Sequence, residues 1–129
     1  MKEHLHLLID ATVANPPKSA EEAKAWLDNL VTEVGMEKLG GPWAVYCDDP
    51  ENRGLTGQVW LTTSHSCFHF WDNCPTPFAK FDIYSCRHFD IGKVVRLFDE
   101  AFNIVNGSWT FINRNDATAH PEITQGTIR

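Results

Sequence analysis

An α+β two-layer sandwich, a mainly antiparallel sheet with two helices on one face, is the fold class that this sequence predicts, and three observations predict it. Short runs rich in β-branched and aromatic residues are bounded by turn residues, two other segments repeat apolar residues at three and four, and the order is strand, helix, four strands, helix, strand. The 129 residues, 43% of them hydrophobic, suffice for a single domain over 1–129 whose core needs neither disulfides nor a structural metal.

Leu5 to Val13 alternates imperfectly, with His4, His6 and Asp10 among the aliphatics, and predicts a first strand ended by Asn15-Pro16-Pro17. Ser19 to Glu22 supplies a capping box, the serine accepting from the third amide and Glu22 reaching back. Ala23, Trp26, Leu27, Leu30, Val31 and Val34 follow at helical spacing and lay one apolar stripe on the sheet. Gly35 and Gly40-Gly41-Pro42 punctuate the chain before a short strand, Trp43 to Cys47, and Asp48 to Arg53 is a charged loop.

A central hairpin pairs Val59 to Thr63 with Ser66 to Trp71 and bends at the polar cluster Thr62-Thr63-Ser64-His65. Asp72 to Pro77 is turn chemistry leading into a strand over Ala79 to Cys86. Asp90 caps a second helix whose apolar positions, from Ile91 through Phe98 to Val105, stop at Asn106-Gly107. Ser108 to Asn113 makes a last strand, and residues 116–129 are expected to form an irregular tail.

A formal net charge of -6 with no basic stripe argues against nucleic acid as a partner. Lys, Glu and His precede Leu5, and His6 and Asp10 interrupt the apolar run, so neither a signal peptide nor a membrane span is expected and the protein is expected to be cytoplasmic. Cys47, Cys67, Cys74 and Cys86 follow no disulfide or zinc-type spacing, which leaves each a free thiol.

The chemistry concentrates in the central hairpin and the strand after it, where the hydroxyl of Ser64, the imidazoles of His65 and His69 and the thiol of Cys86 are expected to converge. A Ser-His bend between apolar strands can give an internal nucleophile, a base and a strained bond, while from residue types alone it reads first as a satisfied turn. Cys86 by itself reads first as a small buried hydrophobe. His65, Cys67 and His69 alternate onto one strand face and, with His88 or Cys86, offer a zinc-type donor set as an alternative; no metal is assigned.

Four pieces, taken in order, resemble the small prokaryotic and viral S-adenosylmethionine decarboxylases. They are His6 to Asp10 (His-Leu-Leu-Ile-Asp), Gly54 to Gly57 (Gly-Leu-Thr-Gly), Ser64 to Trp71 (Ser-His-x3-His-x-Trp) and Asp82 to Cys86 (Asp-x-x-x-Cys), and the resemblance spans roughly residues 4 to 105. It implies a pyruvoyl-dependent carboxy-lyase of spermidine synthesis, made as a proenzyme that cleaves itself at Thr63-Ser64 and carries a pyruvoyl group derived from Ser64 as its cofactor. By the same resemblance His69 is the base for processing, Thr56 stands where the family usually has a serine that assists it, and Cys86 returns a proton to the substrate. A homodimer is implied, and a sheet with one bare face would gain from a partner.

A sulfonium or amine substrate favours carboxylates and aromatic faces, which makes His65, Trp71 and Asp72 the candidate substrate-binding residues. The sequence departs from the family pattern at Thr63, where glutamate is usual, and after Trp71, where Asp72-Asn73 replaces proline and glutamate. It also lacks the aromatic usual in the loop before Gly54, with only Tyr46 nearby. Two alternatives therefore stand beside S-adenosylmethionine: the same machinery acting on L-ornithine or L-arginine, and an unprocessed homologue that binds a metabolite or a partner subunit.

Overall fold

Along Leu5–Val13 every second residue, from Leu5 to Val13, is buried, while His6, Leu8, Asp10 and Thr12 face the other way. This period of two assigns each strand residue to one of two sheet faces. The computed structural model describes residues 3–115 and 120–129. Its elements are β1 (Leu5–Val13), α1 (Ala20–Glu33), β2 (Lys38–Cys47), β3 (Gly54–Leu61), β4 (Ser64–Trp71), β5 (Phe78–Ser85), α2 (Ile91–Phe102), β6 (Ile104–Asn113) and β7 (Glu122–Ile128). One antiparallel sheet in the order β2-β3-β4-β5-β1-β6-β7 results, and the fold is the α+β two-layer sandwich expected.

Both helices cover the same face. Ala23, Trp26, Leu27, Leu30 and Val31 of α1 and Val94, Phe98 and Phe102 of α2 are buried, as are Leu7, Ile9, Val59, Phe70 and Ile83 of the strands beneath. Trp26 is the hub: its ring packs at 5.2–6.0 Å from Phe68, Phe81, Phe98 and Phe102. Ser19 Oγ accepts from the Glu22 amide at 3.1 Å, while Glu22 Oε2 accepts from the amide of Lys18, one residue before the serine that the capping-box pattern implies. Among the described residues no helix is long and apolar enough to cross a membrane.

Several boundaries move. β2 starts at Lys38 and runs through Gly40-Gly41-Pro42, with register irregularities on either side of Gly40, so those residues bend a strand where the sequence suggested a break. β3 begins at Gly54 and not at Val59, and β4 begins at Ser64. α2 ends at Phe102 because Asn103 takes the left-handed conformation (φ 52°) and the Asp99 carboxylate accepts from the Ile104 amide at 2.9 Å. Val105, expected on the helix, is an exposed strand residue.

The largest correction is at the C-terminus. Residues 122–128 are not irregular but form β7, paired with β6 from Asn113↔Glu122 to Gly107↔Ile128. Ile123, Thr124, Thr127 and Ile128 are β-branched, and the β6 edge offers their backbone a full ladder of partners. Arg129 closes the strand by pairing with the Asp99 carboxylate and donating to the Ile104 carbonyl at 2.8 Å. The first part of that expected tail, residues 116–119, lies outside the described residues.

Candidate active site

The β3–β4 hairpin has two chemically distinct ends. At its closed end Thr62 and Thr63 make a two-residue turn and Leu61 pairs with Ser64. Three neighbours hold this turn: the Thr62 amide donates to the Glu37 carbonyl at 3.0 Å, the Thr63 hydroxyl to Met36 Sδ at 3.6 Å, and the Cys86 amide to the Thr63 carbonyl at 2.9 Å. Ser64 has a φ of 147°, a positive value that residues with a side chain rarely adopt. On β5 its partner is the fully buried Ser85, whose Oγ accepts from the Arg87 amide at 3.0 Å.

Thr56 of β3 is directly opposite His69 of β4 at the other end. The Thr56 hydroxyl hydrogen-bonds His69 Nδ1, and His69 Nε2 lies 3.1 Å from the Asn52 carbonyl oxygen. Trp71 packs edge-on against the His69 ring at 4.2 Å and stacks on Phe78 at 4.7 Å. Asp72 accepts the Tyr46 hydroxyl at 2.9 Å, and this bond to a carboxylate holds the Tyr46 proton more tightly than usual. Gly54 cannot be replaced in this packing, since a Cβ there would fall 1.6 Å from the Phe70 carbonyl oxygen.

Between the two ends, on the sheet face that bears no helix, Asp82 gathers a polar cluster. His6 Nε2 is 2.7 Å and His65 Nε2 3.8 Å from Asp82 Oδ2, and the Cys67 thiol donates to Oδ1 at 2.9 Å. Burial pulls the Asp82 pKa upward, but the hydrogen bonds from His6 and Cys67 outweigh it, and the carboxyl ionises below its ordinary range. Burial, then the bond to Asp82, push the Cys67 thiol up to about 12, so it stays protonated. A trough of about 780 Å³ crosses this face, lined by Asp10, Trp43, Thr56, Cys67, His69 and Asp82.

The expected convergence therefore divides. Ser64 and Cys86 come together through the Thr63 carbonyl, and Thr56, His69, Trp71 and Asp72 gather at the opposite end. Ser64 and His69, five residues apart on β4, are about 16 Å from each other at a strand rise of about 3.3 Å per residue. His65 joins neither end and faces Asp82 and Tyr84. The zinc-type alternative is not supported: among the described residues no group of three His, Cys, Asp or Glu side chains is disposed to hold a metal. His69 is committed to Thr56 and Asn52, and His88 faces Glu3 at 3.3 Å.

Of Asp82, His6 and Asn52, sequence reasoning read His6 as structural or substrate-lining and singled out neither of the others as a site residue. The signal for the first two was present in the shared parity of His4 and His6 and in the polar side of the Phe81–Cys86 strand, but only the β1–β5 register, Leu8↔Asp82 and His6↔Tyr84, brings them together. For Asn52, in an irregular loop, no periodic signal exists.

The class is defined by an antiparallel sheet with helices on one face and a hairpin that carries Ser64 at positive φ. The family model described as S-adenosylmethionine decarboxylase matches residues 5–115, and the chain belongs to that family. A search of curated proteins finds no match to the chain. β7 lies wholly beyond the matched span.

Proposed function

We propose that the chain is a self-processing, pyruvoyl-dependent S-adenosylmethionine decarboxylase cleaved between Thr63 and Ser64. One observation carries this reading: the carbonyl a serine nucleophile must attack receives the Cys86 amide at 2.9 Å, and the residue beside it has a φ of 147°. The amide is positioned to stabilise charge that develops on that oxygen, and the strain is relieved when the peptide link is lost. Ser64 Oγ adds to the Thr63 carbonyl carbon, the Thr63–Ser64 C–N bond breaks as an ester C–O bond forms, and the hydroxyl proton passes to the freed amine. Removal of the Ser64 Cα proton then expels the Thr63 carboxylate, and water displaces ammonia to leave the pyruvoyl group.

When present, that group supplies the electron sink that amino-acid decarboxylation requires and that no ordinary side chain offers. Cys86, held at the turn by its own amide, returns a proton to the substrate α-carbon, and His65, Trp71 and Asp72 contact the substrate, the last two from a second copy of the chain.

His69 and Thr56 cannot serve the Ser64 of their own chain across about 16 Å. A second copy, related by a two-fold axis and laid on the bare face, brings its Thr56–His69 pair to the first copy's Ser64. Five of the exposed large hydrophobics, Trp43, Val45, Trp60, Phe78 and Ile123, lie on that face and favour its being covered. This functional unit is a homodimer, active in the cytoplasm.

Intact mass under denaturing conditions tests the reading. Wild type is expected as fragments 1–63 and 64–129, the second with a blocked N-terminus, and Ser64→Ala as one uncut chain; an uncut wild type contradicts it. A second reading keeps the processing and changes the substrate to L-ornithine or L-arginine, favoured by the acidic loop of Asp48, Asp49 and Glu51 and by the absence there of an adenine-stacking ring. Release of carbon dioxide from each of the three amino acids separates the two. A non-catalytic homologue, favoured by the β-branched Thr63, is the outcome if no cleavage occurs.

A further inference from the structure

We propose that Asn52 is a positioning residue that fixes the tautomer of His69 through its backbone carbonyl and locks that carbonyl in place through its side chain. The inference rests on the role of His69 in processing given above.

The geometry is specific. A carbonyl oxygen only accepts, so at 3.1 Å from Asn52 O the Nε2 atom of His69 must carry the proton. In the neutral ring Nδ1 then holds the lone pair, and the Thr56 hydroxyl donates to it. A base directed at the Thr56 side is thus specified from the opposite side of the ring, by the loop before Gly54.

The Asn52 carbonyl is not left to the loop. Asn52 Nδ2 donates to Asp49 Oδ2 at 2.9 Å, the Asn52 amide donates to the Asp49 carbonyl at 2.9 Å, and Asn52 Oδ1 accepts from Trp71 Nε1 at 3.2 Å. Trp71 itself packs on the His69 ring. One residue therefore ties a tight loop turn, the indole beside the imidazole and the imidazole itself. On the far side of the turn the Asp72 amide donates to the Arg53 carbonyl at 3.0 Å, fastening the loop to the end of β4.

Nitrogen NMR of selectively labelled histidine in the uncut Ser64→Ala protein reads this directly, with no need for activity. At a pH where the ring is neutral, the expected spectrum places the His69 proton on Nε2, and Asn52→Ala is expected to give a mixture of tautomers. In the processing-competent chain, Asn52→Ala slows cleavage by up to about 100-fold, the scale of a misplaced catalytic group, and shifts the pH profile of cleavage. The double exchange Asp49→Asn with Asn52→Asp reverses the polarity of the side-chain bond, keeps an acceptor for Trp71 and is expected to restore both tautomer and rate. An unchanged tautomer and pH profile in Asn52→Ala, or a folded double variant that behaves like Asn52→Ala, would overturn the proposal. If wild type is not cleaved yet Asn52→Ala changes the tautomer, the positioning role stands and the processing reading fails.

Discussion

The two ends of the β3–β4 hairpin handle the same kinds of side chain in opposite ways. At the closed end two threonines form a turn that leads into Ser64, whose φ is positive, and the Thr63 carbonyl accepts from the Cys86 amide, so the unusual features lie in the main chain. At the other end a threonine and a histidine lie in regular register, and everything around them fixes a side chain: Thr56, the Asn52 carbonyl and Trp71 each constrain the His69 ring. In the proposed processing one end supplies the bond that breaks and the other the base. Their separation along β4 is why that proposal draws on a second copy.

The comparison can be broken first at residues that are neighbours in sequence but face opposite ways. His69→Ala is expected to abolish cleavage, seen as an uncut chain by mass, with little change in the urea midpoint. Phe70→Ala, one residue on, removes a fully buried ring packed on Phe98 and Phe102 and is expected to cost about 3–5 kcal/mol in urea unfolding. If His69→Ala proved as destabilising as Phe70→Ala, the division between a chemical face and a packing face would fail.

Ser64→Gly sharpens the contrast between the hairpin ends. Glycine tolerates the positive φ, so this variant is expected to be uncleaved yet about 1–3 kcal/mol more stable than Ser64→Ala, measured by denaturant titration. Equal stability of the two would remove the argument for strain.

Smaller effects are expected from the Asp82 cluster. Because the folded carboxyl ionises below its ordinary value, it contributes stability above the unfolded carboxylate pKa, and this is lost as pH falls through the depressed folded value. Asp82→Asn should flatten that part of the acid limb in urea midpoints. Cys67 acts in the opposite sense: between the ordinary thiol value of 9.0 and about 12 the unfolded thiol ionises while the folded one does not, so its contribution is lost as pH rises through that window. Cys67→Ser should lessen the alkaline loss.

Where a local pattern decides the structure, the sequence was readable. Ser19 and Asp90 start helices as their side chains imply, and the alternation of β1, β4 and β5 divides core from open face. The misreadings arise where a partner decides. β7 has a polar composition and gains its order from the β6 edge, and α2 stops early because Asn103 turns and Asp99 caps. At the site the motif residues were found, but the meeting of Ser64 with Cys86, of His6 with Asp82 and of Asn52 with His69 depends on register and loop closure, which no local spacing encodes.

Whether the serine of one chain is processed by the histidine end of another is decided by one co-expression measurement. Ser64→Ala and His69→Ala chains, each expected to remain uncut alone, are produced together and weighed under denaturing conditions. Only the His69→Ala chain is expected to be cut, at Thr63-Ser64, because its partner lends an intact His69. An uncut His69→Ala chain in co-assembled dimers, under conditions where wild type is cleaved, would contradict it.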